Sequence, residues 1–125
     1  MISFDRTVPI LRMFSIEKTK EFYLDFLGFA VDWEHRFDKN APLYMQVSRG
    51  NAVLHLSEHF GDGTPGSAAY FYMKGIEAFH RELSEKKYRH ARPGILDQEW
   101  GMREVIIDDP SGNKLRFGEP KLQGV

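Results

Sequence analysis

The order of predicted secondary-structure elements occurs twice in this chain of 125 residues. Residues 8–14 alternate apolar side chains as strands do, Ser15 can cap a helix, and residues 16–27 place apolar side chains on one helical face. Three strand-like runs follow the helix, at residues 29–37, 43–48 and 52–57. Gly50 and Asn51 are typical of a tight hairpin turn. The first half therefore predicts a βαβββ module.

A loop rich in Gly, Asp and Pro divides the chain, and the same order then returns. The second half predicts a strand at residues 68–73, a helix at 75–87, and strands at 91–96, 103–108 and 114–118. We therefore predict one α+β domain over residues 1–125, with modules at about 7–58 and 68–118 and a linker at 59–67. A sheet with a single helix leaves one face bare, so two such sheets favour a curved, mostly antiparallel cup.

Composition excludes several classes of function. The chain has no cysteine, which removes disulfides, thiolate nucleophiles and Cys-ligated zinc. Its net charge of −1 gives no field that would attract nucleic acid. No apolar run reaches the roughly 20 residues of a membrane span, and the N-terminal residues do not have the pattern of a secretory signal. We therefore expect a cytoplasmic protein with neither nucleic acid nor membrane as a partner.

Three groups of residues carry a resemblance to a known family. They are the start of the first module with its helix (Val8–Leu11, Glu21–Tyr23, Leu27–Phe29), the segment Trp100–Glu104, and Asp109–Asn113 before the last strand. With these motifs the sequence resembles the bleomycin-resistance branch of the glyoxalase, bleomycin-resistance and dioxygenase superfamily, also called vicinal oxygen chelate proteins. The resemblance implies a homodimer, an exchanged N-terminal arm and a small-molecule ligand. Pro9 suits such an arm because it lacks a backbone N–H for strand pairing.

Metal-dependent members of the superfamily place one ligand on each of four strands facing the cup. The resemblance puts these positions at Val8, His55, Ala68 and Arg116. Val8 and Ala68 have no donor atom, and the fixed positive charge of Arg116 would repel a cation. We therefore expect no metal and no other cofactor, which argues against glyoxalase I, extradiol dioxygenase and metal-dependent thiol-transferase activities.

The string H-x-x-E-H at residues 55–59 matches one class of zinc peptidases, but that chemistry needs a helix and this string begins in a strand. We interpret the match as coincidence. Asp109–Asn113 we interpret as a turn only.

Strand alternation and the resemblance together nominate the ligand-binding residues, with no catalytic residue among them. They are His55, Ser57, Tyr70, Tyr72, Trp100, Arg103, Arg116 and Trp33. Each has a structural alternative: His55 could be satisfied by Tyr70 or Ser57, Trp100 could anchor its loop, and the polar neighbours of Trp33 could face solvent.

These features support two hypotheses of function. The first is a non-catalytic protein that binds and sequesters a bleomycin-type antibiotic or another aromatic compound, and so confers drug resistance. A protein that binds a cationic drug is expected to be clearly acidic, whereas the net charge of this chain is close to zero. An anionic or neutral ligand is therefore also consistent with the sequence. The alternative is a metal-independent isomerase or lyase in which His55 is the general base and Arg116 or Arg103 stabilises an enolate.

Overall fold

The structure, a computed structural model, describes residues 1–121 as two four-stranded sheets and two helical segments. Sheet 1 has the strand order β1-β4-β3-β2 and sheet 2 the order β5-β8-β7-β6. The strands are β1 (Ile10–Arg12), β2 (Ala30–His35), β3 (Tyr44–Arg49), β4 (Ala52–Ser57), β5 (Ala68–Tyr72), β6 (Leu96–Asp97), β7 (Met102–Asp108) and β8 (Lys114–Pro120). In each sheet one outer pair is parallel and the other pairs are antiparallel, so the predicted α+β fold of two βαβββ modules is confirmed.

The helices lie where their apolar periodicity predicts them. Helix α1 (Ile16–Lys20) begins after Ser15, whose hydroxyl accepts the backbone N–H of Lys18 at 3.1 Å. It continues as wider π-helical turns over Glu21–Phe26, after which the Leu27 N–H donates to the carbonyl of Phe22. Helix α2 (Ile76–Glu85) buries Ile76, Phe79 and Leu83 on one face. Gly28 has φ of 77° at the end of the first helical segment, as a left-handed stop requires.

Two predicted strands are shorter than their sequence patterns indicate. The strand expected at 8–14 is regular only over β1, although the Pro9 carbonyl and the Met13 N–H still bond to β4. The strand expected at 91–96 is wrong for most of its length, since only Leu96 and Asp97 pair with β7. Pro93 lacks a backbone donor and Gly94 weakens extended structure, which explains why pairing begins so late.

The helix-covered faces of both sheets pack into one core. Residues that alternate onto this face are buried in both modules, as predicted; they include Leu11, Met13, Leu54, Leu56, Leu115 and Phe117. Aromatic contacts join the modules, because Phe26 stacks on Tyr88 at 4.5 Å and Phe29 meets the edge of Phe71 at 6.4 Å. The opposite faces, called here the outer faces of sheets 1 and 2, therefore point away from the core.

A turn in the second module fastens the first module to it. The buried carboxylate of Asp109 accepts the hydroxyl of Tyr23 at 2.6 Å, the side-chain amide of Asn113 at 2.9 Å, and the backbone N–H groups of Ser111 and Asn113 at 2.9 Å. The same Asn113 amide donates to the carbonyl of Arg12 at 2.8 Å. The segment predicted to be only a turn is therefore also a polar joint between the modules.

Both outer faces are open to solvent in the single chain. On sheet 1, Trp33 keeps 42% of its surface exposed, and on sheet 2 Tyr72 keeps 79%. A ligand site on either face is therefore accessible, and one chain leaves such a ligand uncovered on one side. Within residues 1–121, no helix combines the length and apolar character of a membrane span.

Candidate functional site

Aromatic rings cover the outer face of sheet 1. A register shift between Val31 and Trp33 sets the Trp33 side chain opposite Gln46, in the same cross-strand row as His55. The indole of Trp33 lies nearly parallel to the ring of Tyr44, with an interplanar angle of 9° and centroids 5.9 Å apart. The imidazole of His55 meets both rings edge-on at 5.2 Å. Because Trp33 stays 42% exposed, this cluster offers aromatic surface to solvent.

The polar atoms of Tyr44 and His55 belong to a chain of hydrogen bonds with a defined direction. The amide nitrogen of Gln46 donates to the Asp32 carboxylate at 3.0 Å, so its oxygen accepts from Nε2 of His55 at 3.0 Å. Nδ1 of His55 then accepts the hydroxyl of Tyr44 at 2.7 Å. Hydrogen bonds from Gln46 and Ser48 lower the pKa of Asp32, which keeps this end of the chain ionised.

The hydrogen-bond chain favours the neutral imidazole. Partial burial, and then the positive charge of Arg6, lower the pKa of His55 below its ordinary value. Burial, followed by the charge of Asp62, raises the pKa of Tyr44, so its hydroxyl stays a donor. Both ring nitrogens of His55 are occupied, which leaves no free lone pair for a substrate proton or a metal ion. The partners are Tyr44 and Gln46, and the predicted alternatives Tyr70 and Ser57 are wrong.

Beside this surface lies an aromatic hollow of about 450 Å³. Its lining consists of Trp33, His35, Phe37, Tyr44, His59 and Asp62. The Asp62 carboxylate accepts the hydroxyl of Ser57 at 2.8 Å, and that hydroxyl also accepts the backbone N–H of His59 at 3.0 Å. Ser57 is fully buried, so its contribution is to hold the loop that closes the hollow.

The outer face of sheet 2 centres on a buried carboxylate. Glu104 is only 1% exposed, and its two oxygens accept the Tyr70 hydroxyl at 2.6 Å and the Gln98 amide at 3.0 Å. The guanidinium of Arg116 lies 3.5 Å from the second of these oxygens. Tyr70 and Arg116 are direct cross-strand neighbours on this face.

Gly118 makes the contact between Tyr70 and Glu104 possible. A Cβ atom built on Gly118 would overlap the Tyr70 hydroxyl and come within 2.8 Å of its ring carbon Cζ. Glycine is required at position 118 for lack of space, because the Tyr70 ring crosses the sheet over Gly118 to reach Glu104. Partial burial and the hydrogen bond to Glu104 raise the pKa of Tyr70 to about 12, so it remains a donor at neutral pH.

The nominated residues separate into two groups and three outliers. Trp33 and His55 meet on sheet 1, while Tyr70, Tyr72 and Arg116 share the outer face of sheet 2. Trp100 is 65% exposed in the turn before β7. Arg103 lies on the helix-covered side of β7, where Glu77 and Asp97 bind its guanidinium at 2.8 and 3.3 Å. The structure therefore leaves Arg103 off the outer faces, whereas Ser57 lies on the outer side of β4, opposite Tyr44, but is fully buried there.

Sequence reasoning missed Tyr44, Gln46 and Glu104. The first two could have been found, because the Gly50–Asn51 turn sets the register of β3 and β4 and places Gln46 opposite His55 and Tyr44 opposite Ser57. Glu104 stands within the segment Trp100–Glu104 already noted for its resemblance. Its burial depends on contacts from Tyr70 and Gln98, which sequence spacing alone does not reveal.

Comparison with known proteins settles the family. A family model described as glyoxalase superfamily protein matches residues 1–124. The chain belongs to the glyoxalase superfamily. No curated protein matches this superfamily member.

Solved structures share the fold of this glyoxalase superfamily protein at low identity. A glyoxalase-related enzyme from Clostridium phytofermentans has a TM-score of 0.75 and 23% identity, covering 95% of this chain and 97% of its own. An antibiotic-binding protein from Streptomyces sp. CB03234 has a TM-score of 0.70 and 19% identity, with coverage of 96% and 100%. A bleomycin-binding protein from Streptomyces verticillus, complexed with copper(II)-bleomycin, has a TM-score of 0.65 and 25% identity, with coverage of 94% and 97%.

The metal site of the metal-dependent superfamily members does not fit this chain. Of the four corresponding positions, only His55 carries a ligand atom, and its nitrogens bind Tyr44 and Gln46. The fourth position holds the guanidinium of Arg116, which cannot lose its charge to bind a cation. Within residues 1–121, no group of three or more His, Asp or Glu side chains has the arrangement of a metal site.

Proposed function

We propose that this protein binds and sequesters a planar aromatic small molecule in the cytoplasm, without catalysis, and that an antibiotic of the bleomycin type is such a ligand. The observation that carries the proposal is the stacked, partly exposed pair of Trp33 and Tyr44, whose neighbour His55 has both ring nitrogens hydrogen-bonded. A planar ring system stacks on such a surface with favourable geometry. Sequestration of a drug in this way would confer resistance.

The geometry favours binding over chemistry. His55 would have to break its bond to Tyr44 before it could remove a proton, and its lowered pKa makes it a weaker base than a free imidazole. A nearly parallel Trp33–Tyr44 pair, by contrast, needs no rearrangement to accept an aromatic ligand. The solved structures of antibiotic-binding and bleomycin-binding proteins of the same fold add support.

The proposal includes a homodimer. Small-molecule sites bury roughly 70–90% of the ligand surface, whereas an open sheet face covers one side only. A second copy of the chain can supply the missing wall if its sheet 2 faces the sheet 1 of its partner. The N-terminal arm carries Ile2 and Phe4, which are 86% and 97% exposed in the single chain, and arm exchange between copies would bury them.

Titration calorimetry with bleomycin tests the drug-specific part of the proposal. We expect binding to the unaltered protein and a loss of roughly 3- to 10-fold in affinity for Trp33→Leu, since one aromatic contact contributes about 0.5–1.5 kcal/mol. Phe60→Leu is the matched control, because Phe60 is an exposed aromatic residue outside the hollow. No heat at high micromolar protein would refute bleomycin as the ligand. Equal losses for both variants would refute the stacking surface.

Sedimentation tests the dimer separately. We expect a dimer at micromolar concentration, and a weaker one when residues 1–6 are removed. A monomer at that concentration would contradict the shared site.

A further inference from the structure

The guanidinium of Arg116 is an accessible positive charge at the centre of the outer face of sheet 2. Its side chain is 37% exposed, and its contact with Glu104, at 3.5 Å, is too long for a strong hydrogen bond. Of the described residues 1–121, only Glu104 forms an ion pair or side-chain hydrogen bond with Arg116. Most of its five N–H donors therefore remain available to a ligand.

Glu104 cannot play the corresponding role for a cation. Its side chain is 1% exposed, and Tyr70 and Gln98 already donate to its two oxygens. A ligand ammonium group would have to displace these donors and reach a carboxylate that the Tyr70 ring helps to cover. The buried carboxylate instead keeps Arg116 near a fixed position.

The other charges on this face are paired or distant. Lys114, two residues before Arg116 on the same side of β8, donates to Asp108 at 3.1 Å. Arg103 lies on the opposite side of the sheet, bound to Glu77 and Asp97. Arg116 is therefore the charge that an incoming ligand meets, with the exposed ring of Tyr72 in the neighbouring cross-strand row.

We infer that Arg116 determines ligand specificity by binding an anionic group, a carboxylate or another oxyanion, on the aromatic ligand. The inference rests on the proposed binding function and names the chemistry of its ligand. A guanidinium binds a carboxylate through two parallel hydrogen bonds, which gives both affinity and orientation. The preferred ligand is then a planar aromatic acid, and a cationic drug of the bleomycin type should bind more weakly than such an acid.

Three probes of nearly equal size test the inference: 2-naphthoate, 2-naphthalenemethanol and 2-naphthylmethylammonium, which are anionic, neutral and cationic at pH 7.5. Calorimetric titration of the full chain should show 2-naphthoate binding about tenfold more tightly than the alcohol, the size of one charge-assisted contact. The ammonium probe should bind more weakly than the alcohol. Circular dichroism and a thermal melt establish that each variant is folded.

Variants of Arg116 then test whether this residue causes the preference for naphthoate. Arg116→Gln should reduce naphthoate affinity about tenfold, to the level of the alcohol, and leave alcohol binding within about twofold. Arg116→Lys should be intermediate, because an ammonium cannot bind both carboxylate oxygens in parallel. Lys114→Gln removes a neighbouring positive charge from the same face and should preserve the preference.

The outcomes separate the inference from the proposed function. Binding of all three probes with equal affinity would overturn the role of Arg116 and leave aromatic binding intact. A naphthoate preference that survives in Arg116→Gln, or disappears equally in Lys114→Gln, would also overturn it. Binding of none of the probes at millimolar concentration would refute the aromatic site and the inference together.

Discussion

Replacement of Asp109 by Asn tests the joint between the two modules with almost no change of shape. In the native carboxylate one oxygen accepts the Tyr23 hydroxyl and the Asn113 amide, and the other accepts two backbone N–H groups. An asparagine can offer its oxygen to only one of these pairs. Its amide nitrogen then faces two donors inside the core, where water cannot replace the lost acceptor.

The cost follows from the bonds lost. Hydrogen bonds to a charged group contribute about 1.5–3 kcal/mol each, so losing two of them should lower the free energy of unfolding by about 4 kcal/mol. Tyr23→Phe removes one such bond without leaving a cavity, and should cost about 2 kcal/mol. In the double variant no hydroxyl is left unpaired, so its cost should be smaller than the two single costs together by about 2 kcal/mol.

Urea unfolding of the four proteins, at one protein concentration, measures this cycle. The Asp109→Asn variant should also melt about 15 °C lower than the unaltered protein, given about 3–5 °C per kcal/mol for a domain of this size. A cost below about 1 kcal/mol, or purely additive effects, would refute the account of the joint.

Further predictions concern the two outer faces. Gly118→Ala should destabilise the protein by about 1–3 kcal/mol, because the added Cβ displaces the Tyr70 hydroxyl from the buried Glu104. The control is Gly94→Ala, where the space around the residue is open. It should change the free energy of unfolding by less than about 0.5 kcal/mol in the same urea titration. Since the pKa of folded His55 is lowered, the unfolded chain takes up the proton first, and the stability contributed by the neutral imidazole should be lost as pH falls below about 6.5. Unfolding free energies between pH 7.5 and 5.5 should decline less steeply for His55→Gln, and an identical slope would contradict the hydrogen-bond chain. Tyr44→Phe removes the donor to Nδ1 and should raise the pKa of His55 in an NMR titration, whereas an unchanged value would refute that assignment.

Most of the fold could be predicted because it depends on local patterns. The alternation of Leu54 and Leu56 with His55 identified the face that the helix covers, and Ser15 identified the start of the first helix. The strand at 91–96 was overpredicted because apolar content there does not outweigh Pro93 and Gly94. The family motifs identified the superfamily, since they extend along nearly the whole chain.

The candidate site was only partly predictable because its chemistry depends on side-chain partners. Alternation placed His55 on the outer face, but it could not show that Tyr44 and Gln46 occupy both imidazole nitrogens. Arg103 was nominated from the motif, and its position one residue from Glu104 sends it to the opposite side of β7. Successive side chains of a strand point to opposite faces of the sheet, so a motif whose strand register is unknown does not show which face each of its residues occupies.

Each module depends on the other because both pack their helix-covered faces into a single core. The helix-covered face of each module is apolar, so each module needs the other to bury that face. Besides closing the hollow, the loop at 59–67 therefore acts as a tether that raises the effective concentration of one module around the other. A proteolytic nick within that loop would leave two fragments that behave as a tight heterodimer, and separately synthesised fragments would have to find each other before either could become ordered.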